Sequence, residues 1–165
     1  MSAARRIARV TDEDALTALA SRVARRWQAA GVESIVVGLR GELGAGKTTF
    51  VRALLRGLGY TGRVPSPTYT LLEEYVVSGW TVVHLDLYRL AGDAELEALG
   101  IRDWLERSGD WVLAEWPERS PRLLAAVDLG IELEMPGGTV RELVIVAATP
   151  AGEALVGAIS DLLSS

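Results

Sequence analysis

The stretch Gly41-Glu42-Leu43-Gly44-Ala45-Gly46-Lys47-Thr48 decides the fold of this 165-residue sequence. It matches the phosphate-loop pattern G-x-x-x-x-G-K-[ST], in which glycines let successive backbone N–H groups face phosphate oxygens. Lys47 is also the only lysine among 17 basic residues, and all the others are arginines. A compact ammonium on a flexible stem therefore stands at the one position where the pattern requires a lysine.

The residues on either side of this loop have the patterns of a strand and a helix. The stretch 34–40 is short, apolar and β-branched, which is typical of a buried strand in a parallel sheet. Apolar residues at helical spacing, ended by Gly59, predict a helix over 48–58. In this order, the helix dipole favours phosphate, Lys47 reaches the β- and γ-phosphates, and the Thr48 hydroxyl completes a Mg²⁺ shell.

Further elements are predicted along the rest of the chain. Thr11-Asp12-Glu13-Asp14 resembles a capping box that opens a helix through Trp27. Strands are predicted over 80–86 and 111–115 with a helix over 93–105 between them, then a hairpin over 128–135 and 139–148 around Pro136-Gly137-Gly138, and a closing helix over 151–163. The length predicts one domain, and no interdomain linker is evident.

Composition excludes several classes of protein. The chain has no cysteine and a single histidine, His84, which removes disulfides, thiol nucleophiles and multi-histidine metal sites. No apolar run reaches the roughly 18 residues that a membrane helix needs. Polar residues follow Arg5 and Arg6, where a signal peptide would continue with an apolar stretch. These features predict a soluble, cytoplasmic protein with no membrane partner.

Two carboxylates, Asp86 and Glu115, each close an apolar strand. Ligands of open α/β sheets gather at the carboxyl ends of strands, and a P-loop ATPase needs acids there to hold Mg²⁺ and to orient the attacking water. Either residue could instead be a solvated strand end or a helix cap. His84, inside the first of these strands, is interpreted as a core residue.

The residues by themselves predict a P-loop phosphohydrolase that uses Mg-ATP, and two alternatives stay open. A GTPase is disfavoured, because its Asn-Lys-x-Asp motif needs a second lysine. A small-molecule kinase is compatible with the length, although no arginine-rich lid is evident. A module that binds ATP to gate assembly, with negligible turnover, is also compatible. The basic N-terminal half is interpreted as a solvated surface, so direct RNA binding is not predicted.

Four motifs in order resemble the TsaE (YjeE) family. They are the phosphate loop continued through Thr49-Phe50, then Ser66-Pro67-Thr68-Tyr69-Thr70-Leu71, then His84-Leu85-Asp86-Leu87-Tyr88-Arg89-Leu90, and finally Glu115-Trp116-Pro117-Glu118. The resemblance, which extends from Thr11 to Glu118, implies an α/β fold. In it, residues 1–165 form one P-loop NTPase domain with a central, mostly parallel sheet between helices and a C-terminal β-hairpin plus helix.

The resemblance also implies a function. Members of this family are ATPases required for threonylcarbamoyladenosine formation on tRNA, acting with TsaB and TsaD. ATP hydrolysis is then expected to reset or drive that complex, so that the tRNA is modified only indirectly.

Roles for individual residues follow from the same resemblance. It implies that ATP is bound by Glu13, Gly41, Gly44, Ala45, Gly46, Lys47, Thr48, Thr49 and Glu118. Thr48 and Glu115 are the implied Mg²⁺ ligands, and Asp86 and Lys47 the implied catalytic residues. Ser66-Pro67-Thr68 resembles a switch-like loop facing the γ-phosphate. How Asp86 and Glu115 divide their work is left open.

Overall fold

A computed structural model describes residues 4–67, 70–106 and 109–163. Within these ranges the strands are β1 (Arg5–Val10), β2 (Ile35–Arg40), β3 (Leu72–Val77), β4 (Trp80–Asp86), β5 (Asp110–Glu115), β6 (Leu129–Gly137) and β7 (Val140–Ala147). The helices are α1 (Glu13–Ala29), α2 (Lys47–Gly57), α3 (Asp93–Ala98), α4 (Ile101–Glu106), α5 (Pro121–Ala126) and α6 (Pro150–Leu163), with a 3₁₀ turn at Pro117–Arg119.

The strands form a single mixed sheet in the order β1-β7-β6-β2-β5-β4-β3. Its centre, β6-β2-β5-β4, is parallel, which confirms the expected parallel core of an α/β fold. Antiparallel strands extend it at both edges, with β3 beside β4 and β7 and β1 beyond β6. The sheet is therefore parallel where the phosphate loop leaves it and antiparallel at its borders.

Alternate side chains of the central strands divide between two cores, because successive residues of a strand point to opposite faces. On one face, Val37 and Leu113 pack with the apolar sides of α1, α2 and α6. On the other, Val83 and Val112 pack with α3, α4 and α5. The expected placement of the sheet between helices is thus confirmed. Among the helices in the described ranges, none combines the length and apolarity needed to cross a membrane.

Most of the predicted elements are confirmed. The strand before the phosphate loop, the helix after it, the two strands ending in carboxylates, the C-terminal hairpin and the closing helix are all present. Asp12 caps α1, because its Oδ1 accepts a hydrogen bond from the Ala15 N–H at 2.8 Å. The start of this helix was therefore predicted correctly, but its N-cap is Asp12, and Ala15 at the third helical position has no side chain that could complete a capping box.

Two boundaries differ from the prediction. The single helix expected over 93–105 is two helices, α3 and α4, separated at Gly100, whose φ of +80° ends the first one. The hairpin turn lies at Gly138 and Thr139, because β6 continues through Gly137 after an irregularity in its pairing with β7. Three elements, β1, β3 and α5, were not predicted from the sequence.

Two glycines of the phosphate loop meet different surroundings. Gly41, with φ at +144°, lies so close to β6 that an added Cβ would stand 2.6 Å from the Leu133 carbonyl oxygen. Gly44, with φ at +82°, has nothing within 4 Å of the corresponding position. Both conformations disfavour a side chain, but only Gly41 also has a backbone atom in the way.

Alanine at these two positions separates backbone strain from steric conflict. We expect Gly41→Ala to lower the free energy of unfolding by about 2 kcal/mol or more, and Gly44→Ala by about 1 kcal/mol. Chemical denaturation of the purified variants measures both values. Equal losses would show that the approach of the loop to Leu133 does not limit residue 41.

Candidate functional site

A cavity of about 420 Å³ opens at the carboxyl ends of the central strands, a volume typical of small-molecule sites. Most of the residues predicted for nucleotide, metal and catalysis line it, namely Glu13, Gly44, Gly46, Lys47, Thr48, Thr49, Asp86 and Glu115. Ser66, from the predicted switch-like loop, lines it too, whereas Thr68 lies outside the described residues. The structure therefore brings together residues from widely separated motifs.

Three predicted residues lie beside this cavity rather than in it. Gly41, Ala45 and Glu118 line a neighbouring cleft on the β6 side, and Trp116 lines both spaces. The Glu118 carboxylate is 3.3 Å from Nε of Arg40, the last residue of β2. Glu118 thus lines the neighbouring cleft and not the cavity that contains Lys47, Thr48 and Glu115.

The carboxylates converge because β4 and β5 are parallel neighbours in register. Asp86 pairs with Glu115 across the two strands, so the strand ends meet at one edge of the sheet. Both side chains are buried, with 6% of Asp86 and 3% of Glu115 exposed. The backbone N–H of Tyr88 donates to Oδ1 of Asp86 at 3.1 Å, which holds that carboxylate at the end of its strand.

Thr48 links the phosphate loop to β5. Its Oγ1 lies 2.9 Å from both carboxylate oxygens of Glu115, so the hydroxyl donates to that carboxylate. This contact places the two predicted Mg²⁺ ligands in direct hydrogen-bond distance of each other. Two residues 67 positions apart in sequence thereby form one oxygen-rich corner of the cavity.

His84 is buried, as predicted, but the interpretation as an ordinary core residue was incomplete. Its Nε2 lies 2.6 Å from Oε2 of Glu115. His84 and Asp86 are two residues apart on β4, so both point to the face of the sheet that α2 covers. The histidine therefore lies directly behind the carboxylate corner of the site.

Lys47 lies folded over its own loop. Its Nζ donates to the carbonyl oxygens of Gly41 and Glu42, at 2.5 and 2.9 Å, and lies 4.5 Å from the centre of the Trp116 ring. Burial lowers the pKa of Lys47 below its ordinary value, while the negative charges of Glu115 and Asp86 oppose that shift. A cation held this way is poorly hydrated, and a phosphate group can replace its carbonyl contacts.

Trp116 and Arg141 shape the site without having been predicted to do so. Trp116 has left-handed backbone angles, φ 58° and ψ 49°, and its ring packs 5.1 Å from that of Tyr88. Arg141, from β7, donates from Nε to the Ala45 carbonyl at 3.1 Å and so supports the phosphate loop from a distant strand. The motif around Glu115 could have indicated Trp116, but no local pattern marks Arg141.

The donor set of this corner fits Mg²⁺. Hydroxyl and carboxylate oxygens suit this hard cation, which keeps water and phosphate oxygens in its shell rather than requiring a cage of side chains. Among the residues that the structure describes, no group of three or more His, Asp or Glu side chains is placed to hold a metal ion by itself. Lys47 and the loop N–H groups beside this corner suit the phosphates that such a cation accompanies.

Comparisons with known proteins identify the family. Residues 10–143 match the family model described as threonylcarbamoyl adenosine biosynthesis protein TsaE. The chain is 41% identical over 129 residues to the tRNA threonylcarbamoyladenosine biosynthesis protein TsaE of Haemophilus influenzae, covering 78% of this chain and 80% of that one. It is 37% identical over 112 residues to the TsaE of Bacillus subtilis, covering 68% and 69% of the two chains.

A solved structure has the same fold. The crystal structure of Bacillus subtilis YdiB superposes with a TM-score of 0.77 over 98% of both chains, at 24% sequence identity. At that identity the likeness supports the architecture of the sheet and helices alone.

The single lysine gives a direct test of the electrostatics of the site. We expect NMR titration of the Lys47 side chain to give a pKa below 10.5, because burial outweighs the attraction of the carboxylates. Glu115→Gln removes the largest attraction and should lower this pKa further. The control variant is Glu33→Gln. Glu33 is exposed and precedes β2, so it lies at the end of that strand away from the phosphate loop, and its substitution should leave the pKa of Lys47 unchanged. A wild-type pKa of 10.5 or more would contradict the burial of this ammonium.

Proposed function

The chain belongs to the TsaE family of threonylcarbamoyladenosine biosynthesis proteins, and from this membership and the geometry of the site we propose that it is a Mg²⁺-dependent ATPase. The observation that carries the proposal is the hydrogen-bonded corner of Thr48 and Glu115, with Asp86 beside it and Lys47 on the adjoining loop. An anion-binding loop and an oxygen-rich metal corner in one cavity match the two halves of a Mg-nucleotide.

In this proposal, the phosphate loop and the first turn of α2 bind the phosphates of the nucleotide. The helix begins at Lys47, so its first N–H groups and the positive end of its dipole face the cavity. Lys47 would exchange its hydrogen bonds to the Gly41 and Glu42 carbonyls for hydrogen bonds to phosphate oxygens, so that its positive charge lies next to the phosphates. Glu13 and Thr49, which also line the cavity, complete the proposed nucleotide contacts.

Thr48 and Glu115 would hold the cation. A Mg²⁺ ion held by these two residues would neutralise the charge that develops on the leaving phosphate oxygen during transfer. The Thr48 hydroxyl oxygen and a carboxylate oxygen of Glu115 lie 2.9 Å apart in the structure. The residues therefore need little rearrangement to place both oxygens on one cation.

Asp86 is the proposed group that orients the attacking water. Its carboxylate lies in the cavity and is held by the Tyr88 N–H, so an accepted hydrogen bond from water would have a defined direction. Water then attacks the terminal phosphorus as the bond to the β-phosphate oxygen breaks, giving ADP and inorganic phosphate. Hydrolysis therefore requires Asp86 more than binding does.

The family also supplies the proposed context. We propose that residues 1–165 act as one domain, in the cytoplasm, together with the TsaB and TsaD proteins. In this proposal ATP hydrolysis drives or resets their complex, and the tRNA is modified indirectly through it. No membrane enters the proposed cycle.

Asp86→Asn separates hydrolysis from binding. We expect it to lower the turnover of ATP on the order of 10²-fold while ATP affinity changes little, because the carboxylate acts chiefly on the attacking water. Glu115→Gln should instead raise the Mg²⁺ concentration needed for binding and turnover. Asp103→Asn, an exposed aspartate on α4, is the matched control.

Release of free phosphate is measured with the protein alone and with TsaB and TsaD. Phosphate transfer to a small-molecule acceptor would replace the ATPase by a kinase, and binding with no turnover under either condition would leave a nucleotide-gated module. Unchanged turnover in Asp86→Asn would remove this residue from the mechanism.

A further inference from the structure

We propose that His84 is a positioning residue that fixes the carboxylate of Glu115 in the orientation needed for Mg²⁺ at the nucleotide site. The inference rests on the proposed function, because it assigns a role toward the cation that Glu115 would hold. His84 is fully buried and does not line the cavity, so it acts through Glu115 and not on the nucleotide.

The contact is short and shielded from water. Nε2 of His84 lies 2.6 Å from Oε2 of Glu115, and the side chains are 0% and 3% exposed. Burial strengthens a hydrogen bond to a carboxylate, because no water competes for either partner. The pair also joins two neighbouring strands of the parallel centre, because His84 lies on β4 two residues before its end and Glu115 is the last residue of β5.

The surroundings of the ring indicate which nitrogen carries the proton. Among the described residues, none hydrogen-bonds to Nδ1 of His84, whereas Nε2 faces a carboxylate. A buried N–H without an acceptor is rarer and more costly than a buried lone pair without a donor. The Nε2–H tautomer fits these surroundings, since its N–H donates to Glu115 and only a lone pair is left without a partner on Nδ1.

This hydrogen bond restricts how Glu115 can turn. Oε2 accepts from His84 on the core side, while Thr48 Oγ1 contacts the same carboxylate from the loop side at 2.9 Å. The two partners fix the carboxylate plane and direct it toward the cavity. Without the histidine, only Thr48 would hold the carboxylate, which could then adopt more orientations and would lose that freedom each time the cation binds.

Residues that hydrogen-bond to a metal ligand have large effects on metal binding in proteins. Their removal typically lowers metal affinity or activity about 10- to 100-fold. We therefore expect His84→Leu, which fills similar space without a donor, to raise the Mg²⁺ requirement by a factor in that range. Binding of ADP without Mg²⁺ should stay at the wild-type level, because His84 does not line the nucleotide cavity.

The only histidine of the chain makes a spectroscopic test unambiguous. In protein labelled with ¹⁵N-histidine, correlations between ring nitrogens and ring protons should show the Nε2–H tautomer. The ring signals should shift on addition of Mg²⁺ with ADP more than on addition of ADP alone. An Nδ1–H tautomer, or a response independent of Mg²⁺, would overturn the proposal without relying on any variant.

Two substitutions then separate positioning from a merely structural role. His84→Gln can present an amide N–H near the position of Nε2, so it should recover the Mg²⁺ dependence that His84→Leu loses. Calorimetric titration of Mg²⁺ into each protein with ADP measures this dependence, and thermal unfolding shows whether the variants are folded. Equal Mg²⁺ requirements in wild type and a folded His84→Leu would contradict the proposal, as would Gln and Leu variants that are equally impaired.

Glu115→Gln distinguishes the failure of this inference from that of the proposed function. If Glu115→Gln weakens the Mg²⁺ response and His84→Leu does not, only the role of His84 is wrong. If Glu115→Gln leaves the Mg²⁺ response unchanged, the metal assignment on which the inference rests is wrong as well.

Discussion

The Glu115 carboxylate is the group on which the organisation of the site depends. It contacts Thr48 on the phosphate loop and His84 on β4, and it stands in register with Asp86. These residues come from three separate segments of sequence, and the parallel pairing of β4 with β5 brings them to one edge. The register of two central strands therefore sets the distances between the groups that would act on a nucleotide.

Charge balance around this carboxylate accounts for the position of Lys47. A buried ammonium is costly unless carboxylates or carbonyls compensate it, and here it has both. Glu115 and Asp86 provide negative charge, the loop carbonyls provide direct hydrogen bonds, and the Trp116 ring covers the ammonium. Such an arrangement holds the ammonium at the wall of the cavity where we propose that phosphate binds.

Local sequence patterns predicted the centre of the sheet and the C-terminal hairpin, but neither of the two outermost strands, β1 and β3. Apolar strands, glycines and caps encode β2, β4, β5 and their helices, because those signals act within a few residues. The edge strand β1 contains Arg5, Arg6 and Arg9, so its solvated face hides the alternation of a strand. In the site, the motif residues were predictable, but the contacts of His84 and Arg141 depend on strand order, which no short pattern contains.

The central claim is that the loop around Lys47 binds the phosphates of ATP, and calorimetric titration of ATP into wild type and Lys47→Ala with Mg²⁺ tests it most directly. Loss of the ammonium removes a charge-assisted contact, so affinity should fall on the order of 10²-fold or more. Circular dichroism checks that the Lys47→Ala variant is folded. Arg25→Ala, on the exposed side of α1, is the control variant and should bind ATP with wild-type affinity. Wild-type affinity in a folded Lys47→Ala protein would contradict the account.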